Sequence, residues 1–183
     1  RAVQFASLQQ ENQNLRQKVL DQTLSEPAAF ADIVTADQRM KQVFLYLEAI
    51  AGNHEAVLIS GESGTGKELI ARALHRLYAP NKPWIAVNVA GLVDTMFSDT
   101  LFGHVRGAFT GAQGSRPGMI RQSAGGILFL DEIGNISSEM QHRLLRFLED
   151  RKVRRVGAVE EKTINCRVIA ATNSDLAADI KSG

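Results

Sequence analysis

The sequence predicts an α/β protein in which a mainly parallel sheet is flanked by helices and preceded by a helical linker. Short apolar runs alternate with amphipathic segments along most of the chain, which is typical of strands alternating with helices. A glycine-rich segment joins one of these strands to the next helix. Several strands end in glycine or polar residues, and in a parallel sheet such ends share one edge, where ligands bind.

The hydrophobic pattern gives the elements in chain order. It predicts a buried strand in "AVLISG" and further strands in "WIAVNVA", "GGILFLDEIG" and "CRVIAATN". It predicts helices in "RMKQVFLYLEAIAG", "KELIARALHRLYA" and "SSEMQHRLLRFLED", the last with Ser137 or Ser138 as its N-cap. The residues at the strand ends are expected to face one crevice: Gly61, Asn88, Asp131 and Asn173.

The composition is that of an ordinary globular domain. The 183 residues include 21 Lys and Arg and 20 Asp and Glu, so the net charge of +1 argues neither for nor against nucleic acid. Cys166 is the single cysteine, which excludes an internal disulfide, and we predict that it is a small packing residue. No stretch is long and apolar enough to span a membrane, and no signal peptide is visible, so we expect a cytoplasmic protein without a membrane partner.

Residues 1–25 are predicted to form a helical, coiled-coil-like linker. A mostly apolar stripe recurs there at helical spacing: Phe5, Leu8, Asn12, Leu15 and Val19. An Asn buried in such a stripe can fix the register of a dimer, although a helix packed on its own domain remains the alternative. Pro27 disfavours helix at the residue before it, so we place the main domain at residues 30–183.

The segment "GESGTGK" matches the phosphate-binding pattern G-x-x-x-x-G-K and lies between a predicted strand and a predicted helix. Backbone N–H groups and the helix N-terminus favour phosphate there, and a lysine adds a point charge at the outer phosphates. We therefore predict that ATP is bound by a single loop: Gly61, Glu62, Ser63, Gly64, Thr65, Gly66, Lys67 and Glu68.

The pattern usually ends in a Ser or Thr that ligates Mg²⁺, but this sequence has Glu68. The ion must then be held by phosphates, water and another acid, or through Thr65. The strand end in "ILFLDE" supplies that acid, with Asp131 as the expected metal ligand. Glu132 is expected to orient and polarise the attacking water.

Two asparagines end the neighbouring strands. Asn173 could donate a hydrogen bond to the γ-phosphate or to the attacking water, and Asn88 ends another strand. Either one alone would be an ordinary cap. Together at one sheet edge, both are expected to report the state of the nucleotide.

The segment "GHVRGAFTGAQG", residues 103–114, holds four glycines and suits neither helix nor strand. With "GESGTGKE", "GGILFLDEIG" and "AATN" in this order, its core "GAFTGA" resembles the central AAA+ domain of bacterial enhancer-binding proteins. These proteins activate sigma-54 RNA polymerase. The resemblance covers the chain from about Phe30 to its end, and the family also has Glu at the Glu68 position.

The resemblance implies a mobile loop that is inserted into a helix and projects toward sigma-54 when nucleotide is bound: Gly107, Ala108, Phe109, Thr110, Gly111 and Ala112. Phe109 and Thr110 would contact sigma-54. Asn88 would pair with Glu132 and switch it, and Asn173 would be a sensor of nucleotide. Arg155 matches a family arginine near the subunit boundary.

The resemblance also implies a larger, ring-forming protein, with the hexamer as the expected oligomer. We expect the chain to be truncated before the arginines that reach a neighbouring subunit, the helical lid and a C-terminal DNA-binding domain. It would then bind ATP but hydrolyse it poorly, because arginine fingers accelerate turnover strongly. Residues 1–25 resemble the linker of a response regulator in a two-component system.

The sequence departs from the family pattern beside the loop. The family typically reads "ESELFGHEKGAFTGA", and this chain reads "SDTLFGHVRGAFTGA". Two acids and a further Glu are thereby replaced by Ser98, Thr100 and Val105, which leaves open what restrains the loop electrostatically.

Two other functional classes share features of this sequence. A AAA+ unfoldase or clamp loader would share the ATP site, but "GAFTGA" is not an aromatic pore loop. A non-catalytic, nucleotide-dependent interaction module would not need the full set of Lys67, Asp131 and Glu132. We therefore favour an ATPase that drives sigma-54 remodelling.

Overall fold

The computed structural model describes residues 23–174 and Leu176. The predicted stripe around Asn12 lies outside the described residues, so the linker remains a prediction. The strands are β1 (Val57–Ser60), β2 (Trp84–Asn88), β3 (Ile127–Asp131), β4 (Lys152–Arg154), β5 (Glu161–Thr163) and β6 (Arg167–Thr172). The α-helices are α1 (Gln38–Ile50), α2 (Lys67–Tyr78), α3 (Asp94–Phe102), α4 (Met119–Gln122) and α5 (Ser138–Asp150), with short 3₁₀ helices at Pro27–Phe30 and Ile133–Asn135.

The chain divides into two compact units. The first comprises the described residues up to His54 together with residues 72–80, and it therefore includes α1 and the second part of α2. Phe30 stacks on Phe44 of α1 with ring centroids 4.4 Å apart. Arg76 forms an ion pair with Asp32 and donates a hydrogen bond of 3.2 Å to the Ala29 carbonyl, which fixes the segment around the first 3₁₀ helix.

The second unit, residues 55–71 and the described residues from 81 onward, contains a four-stranded parallel sheet in the order β1–β6–β3–β2. All four predicted strands are present, and the α/β class with a parallel sheet is confirmed. The prediction that "AVLISG" is buried was wrong. Among the described residues, β1 pairs only with β6 and lies at the edge of the sheet; its residues alternate in exposure and Leu58 is 51% exposed.

One face of this sheet packs against α3, α4 and α5 around large buried side chains, among them Phe97, Leu101, Leu128, Leu130, Met140 and Phe147. Burial of such side chains from water is the main source of stability for a domain of this size. Cys166 belongs to the same core, as predicted for a packing residue, and burial raises the pKa of its thiol.

Helix α5 begins as the sequence indicates. Its N-cap is Ser137, whose Oγ accepts a hydrogen bond of 3.3 Å from the Met140 N–H. Helix α3, helix α4 and the hairpin β4–β5 were not predicted from the residues. In the part of the chain that the structure describes, no helix has the length and apolar character needed to cross a membrane.

Candidate functional site

The carboxyl ends of the four parallel strands gather the predicted phosphate and acid residues. Asn88 and Asp131 are register partners at the ends of β2 and β3. The Gly61 N–H donates to the Thr172 carbonyl over 3.2 Å, which joins the start of the phosphate loop to the residue before Asn173. Glu132 directly follows Asp131. The structure therefore brings these predicted residues to one edge of the sheet.

The phosphate loop surrounds a buried cation. Lys67 is only 9% exposed, and its Nζ donates hydrogen bonds of 2.9 Å to the carbonyls of Gly61 and Glu62. Among the described residues, no carboxylate forms an ion pair with Lys67. Gly66 has a φ of +86°, a left-handed conformation that lets the loop turn into α2. A cation enclosed by backbone at a helix N-terminus suits an anionic phosphate group.

Residues suited to a divalent cation lie beside this loop. The Asp131 carboxylate accepts a hydrogen bond of 3.1 Å from the Glu132 N–H through Oδ1, and as a hard oxygen ligand it suits Mg²⁺. The Thr65 hydroxyl, the alternative ligand, donates to the Glu62 carbonyl over 2.8 Å. Glu68 lies in the first turn of α2 and is exposed. The donor chemistry therefore fits the ion better at Asp131 than at the end of the loop.

Glu132 has an unusual backbone for a residue with a side chain. Its φ of 61° and ψ of 42° are left-handed, a conformation that costs free energy and concentrates at functional sites. The turn that follows is held close to the end of β6, because a Cβ on Gly134 would lie 2.7 Å from the Thr172 Oγ1. The strained backbone of Glu132 and the tight turn that follows it restrict the position of this residue at the end of β3.

The two asparagines are placed differently. Asn88 is exposed, and its Oδ1 accepts a hydrogen bond of 2.8 Å from the Ala90 N–H. Within the described residues, no hydrogen bond joins Asn88 to Glu132, so their pairing remains a prediction. Asn173 is exposed at the end of β6, next to the start of the phosphate loop.

The "GAFTGA" segment belongs to a loop that interrupts a helical region. Helix α3 ends before Gly103 and α4 begins after Gly118. The outgoing segment at residues 103–104 and the returning segment at residues 116–118 lie side by side and form the neck of the loop. The N–H groups of His104 and Arg116 each donate to the other residue's carbonyl, at 3.0 and 2.9 Å. A Cβ on Gly103 would lie 2.3 Å from the Arg116 carbonyl oxygen, and one on Gly118 would lie 2.4 Å from the Phe102 carbonyl carbon. Both glycines are therefore required for the close approach of the backbone.

Beyond the neck, the loop closes into a tight tip. The Gly107 N–H donates to the Ala112 carbonyl over 2.9 Å, and the Ala112 N–H donates to the Phe109 carbonyl over 3.0 Å. Ala112 is buried, whereas Thr110 is exposed and Phe109 is 47% exposed. A half-exposed aromatic side chain on a closed turn is suited to contact a partner.

The hairpin β4–β5 supports the neck from one side. Val156, in the turn of the hairpin, accepts from the Val105 N–H at 3.1 Å and donates to the Gly103 carbonyl at 2.8 Å. Arg155 donates a hydrogen bond of 2.8 Å to the Ser115 hydroxyl. Sequence reasoning missed this support, because its strands have three residues each and their partners are distant in sequence.

Comparison with known proteins identifies the family to which this chain belongs. The family model described as the "Sigma-54 interaction domain" matches residues 33–183. The chain belongs to this sigma-54 activator family.

Two curated activators show the extent of the similarity. The Nif-specific regulatory protein of Herbaspirillum seropedicae is 41% identical over 183 residues, which cover 98% of this chain and 34% of that protein. The regulatory protein AtoC of Escherichia coli is 42% identical over 184 residues, which cover 100% of this chain and 39% of that protein. The sigma-54 interaction domain described here thus spans well under half the length of these relatives.

Solved structures agree with the fold. NtrX of Brucella abortus in complex with ATP has a TM-score of 0.73 and 30% identity, covering 100% of this chain and 39% of that chain. The P-loop NTPase domain of an Escherichia coli sigma-54 transport activator has a TM-score of 0.50 and 17% identity over 80% of this chain and 93% of that chain, which supports the fold alone. The predicted P-loop α/β core is thereby confirmed.

The neck of the sigma-54 interaction domain allows a direct test. We expect Gly118→Ala to lower the free energy of unfolding by at least about 2 kcal/mol, because a left-handed φ of +79° would be forced on a residue with a Cβ. The clash with Phe102 adds to that cost. Denaturant unfolding measures the change.

The matched control is Gly114→Ala, since a Cβ there meets nothing within 4 Å. We expect its unfolding midpoint to stay close to that of the unmodified chain. Equal midpoints for the two variants would show that the neck does not need a glycine at position 118.

Proposed function

We propose that this chain is the ATP-binding and ATP-hydrolysing part of a transcription activator that remodels sigma-54 RNA polymerase through residues 107–112. The observation that carries the proposal is the joint placement of Lys67, Asp131 and Glu132 at one sheet edge, connected to an exposed "GAFTGA" tip. Membership in the sigma-54 interaction family and the ATP complex of NtrX support it.

In the proposed ATP reaction, the phosphate loop from Gly61 to Glu68 binds the triphosphate and Lys67 offsets charge on its outer phosphates. Asp131 would hold Mg²⁺, which supplies charge neutralisation at the β- and γ-phosphates when bound. Glu132 would accept the proton of the attacking water as it adds to the γ-phosphorus. Asn88 and Asn173, at the neighbouring strand ends, would sense the γ-phosphate.

Two connections, one along the chain and one that includes backbone hydrogen bonds, run from this site to the tip and support a coupling between them. From Asn88 at the end of β2, the chain continues into α3, whose C-terminus is the neck. From the hairpin, whose Val156 pairs with the neck, the chain continues through β5 and β6 to Asn173. A displacement of either asparagine with nucleotide state would therefore reach Phe109 and Thr110 through packed backbone.

The intact protein would be larger than this chain. We propose that it works in the cytoplasm as a homo-oligomer, with a hexamer as the expected ring, because catalytic arginines would come from a neighbouring subunit. DNA would be bound by a C-terminal domain, and a receiver domain of a two-component system would precede the linker. The coverage of 34% and 39% of the two relatives leaves room for such domains.

The first prediction of this proposal concerns turnover by the 183-residue chain itself. We expect it to bind a fluorescent ATP analogue but to hydrolyse ATP at least about 1000-fold more slowly than the intact protein, because the proposed catalytic arginine of a neighbouring subunit would be needed at the γ-phosphate. Lys67→Ala should abolish the binding and serves as the control. A rate within tenfold of the intact protein would contradict the proposed role of the neighbouring subunit.

The second prediction tests the role of Glu132 in the intact protein. We expect Glu132→Gln to keep ATP bound and to reduce steady-state hydrolysis by about 100-fold or more, because the amide cannot accept the proton of the attacking water. Turnover and ATP affinity are measured on the same sample.

Glu149→Gln is the matched control, since Glu149 is exposed on α5. We expect this variant to behave as the unmodified protein. A Glu132→Gln variant with normal turnover would remove Glu132 from the proposed mechanism and would favour a passive binding module.

The third prediction tests the tip. In the intact protein with ADP and aluminium fluoride, we expect Thr110→Ala to weaken the complex with purified sigma-54 by about tenfold or more, as for residues at the centre of an interface. Gel filtration or fluorescence anisotropy measures the complex.

Gln113→Ala is the matched control, because Gln113 is exposed directly outside the tip. It should leave the complex intact. An unmodified protein that hydrolyses ATP and forms no sigma-54 complex would show that the ATPase drives a different partner.

A further inference from the structure

One acidic residue, Asp99, lies at the neck and contacts both sides of it. Asp99 lies in the last turn of α3 and is 21% exposed at its side chain. One carboxylate oxygen accepts a hydrogen bond from His104 Nδ1, and the other accepts from Arg116 Nη1 at 3.3 Å. Ser98 on the same turn instead accepts a hydrogen bond from Arg143, and Thr100 and Val105 have no charge.

The position of Asp99 is electrostatically unfavourable without these partners. A carboxylate in the last turn of a helix faces the negative end of the helix dipole. Arg116 offsets that charge, and His104 donates a hydrogen bond to it from the opposite side of the neck, whose two segments are already paired through their backbones. The carboxylate therefore cross-links both strands of the neck to α3.

The cluster reaches the tip through the His104 ring. That ring is 14% exposed at its side chain, so its orientation is fixed by packing as well as by Asp99. Its other contact is Phe109, whose ring centroid lies 5.1 Å away at an interplanar angle of 67°. An edge-to-face contact of this kind depends on the direction of both rings.

We propose that Asp99 is a positioning residue for Phe109, acting through His104, and that it sets the direction of the Phe109 ring, the proposed contact of sigma-54. This inference rests on the proposed function of the tip. It assigns the electrostatic restraint of the loop to the cluster of Asp99, His104 and Arg116. The family pattern instead has acids at the positions of Ser98, Thr100 and Val105.

The test uses the intact protein with 4-fluorophenylalanine incorporated at position 109, so that ¹⁹F NMR reports the environment of that ring. Asp99→Ala should move the resonance toward that of the free amino acid, because the His104 ring is no longer held in one direction. Alanine is the best helix former, so α3 should persist. The affinity for sigma-54 in ADP and aluminium fluoride should fall about tenfold in samples that still bind ATP.

A second variant guards against a fold defect in the first. His104→Asn keeps a donor for Asp99 but removes the ring that contacts Phe109, and it should give the same shift and the same loss of affinity. Glu149→Ala, at an exposed acid on α5, should change neither. Combining Asp99→Ala with Phe109→Ala should weaken the complex no further than Phe109→Ala alone.

The outcomes separate the two proposals. If Phe109→Ala weakens the sigma-54 complex but Asp99→Ala changes neither the resonance nor the affinity, the positioning role is wrong and the function of the tip stands. A shifted resonance with unchanged affinity also overturns the positioning role. If Phe109→Ala leaves the complex intact, the proposed function of the tip is the statement that fails.

Discussion

Parallel pairing of β1, β6, β3 and β2 is the constraint on which the rest of the second unit depends. Strands that run in one direction present all their carboxyl ends at one edge, and the chain must return by helices on the faces. This edge therefore holds the phosphate loop, the acid pair and both asparagines. Their common position follows from the strand direction, because most of these described residues share no hydrogen bond. Helix α3 follows β2 at the same edge, so the chain connects the predicted nucleotide-binding residues to the tip of the loop.

The neck is a second constraint, and it is steric. Two strands of the loop approach so closely at Gly103 and Gly118 that no side chain fits on either residue. The hairpin then adds a third backbone segment through Val156. Backbone hydrogen bonds that lie between packed segments are directional, so the base of the loop is fixed while its tip stays exposed. A rigid base is what the proposed coupling between the sheet and Phe109 would require.

Charge is used differently at the two places. Lys67 is enclosed by backbone carbonyls and has no acidic partner among the described residues, which leaves its charge available for phosphate. Asp99 is instead paired on both oxygens within its own neck. The first arrangement suits binding of an anionic ligand, and the second suits restraint of a loop. The strained backbone of Glu132 is at the same sheet edge as the phosphate loop, where the proposed reaction takes place.

The sequence by itself determined the four parallel strands, the helices α1, α2 and α5, the phosphate loop and the acids at the end of β3, because each depends on local periodicity or on a contiguous motif. The "GAFTGA" resemblance likewise needed only adjacent residues. Tertiary structure decided the exposure of β1, the hairpin that supports the neck, the hydrogen bond of Asn88 to Ala90, and the pairing of Asp99 with His104 and Arg116. Most of these depend on which distant segments come into contact, and short strands and single charged residues carry no local pattern that records their partners.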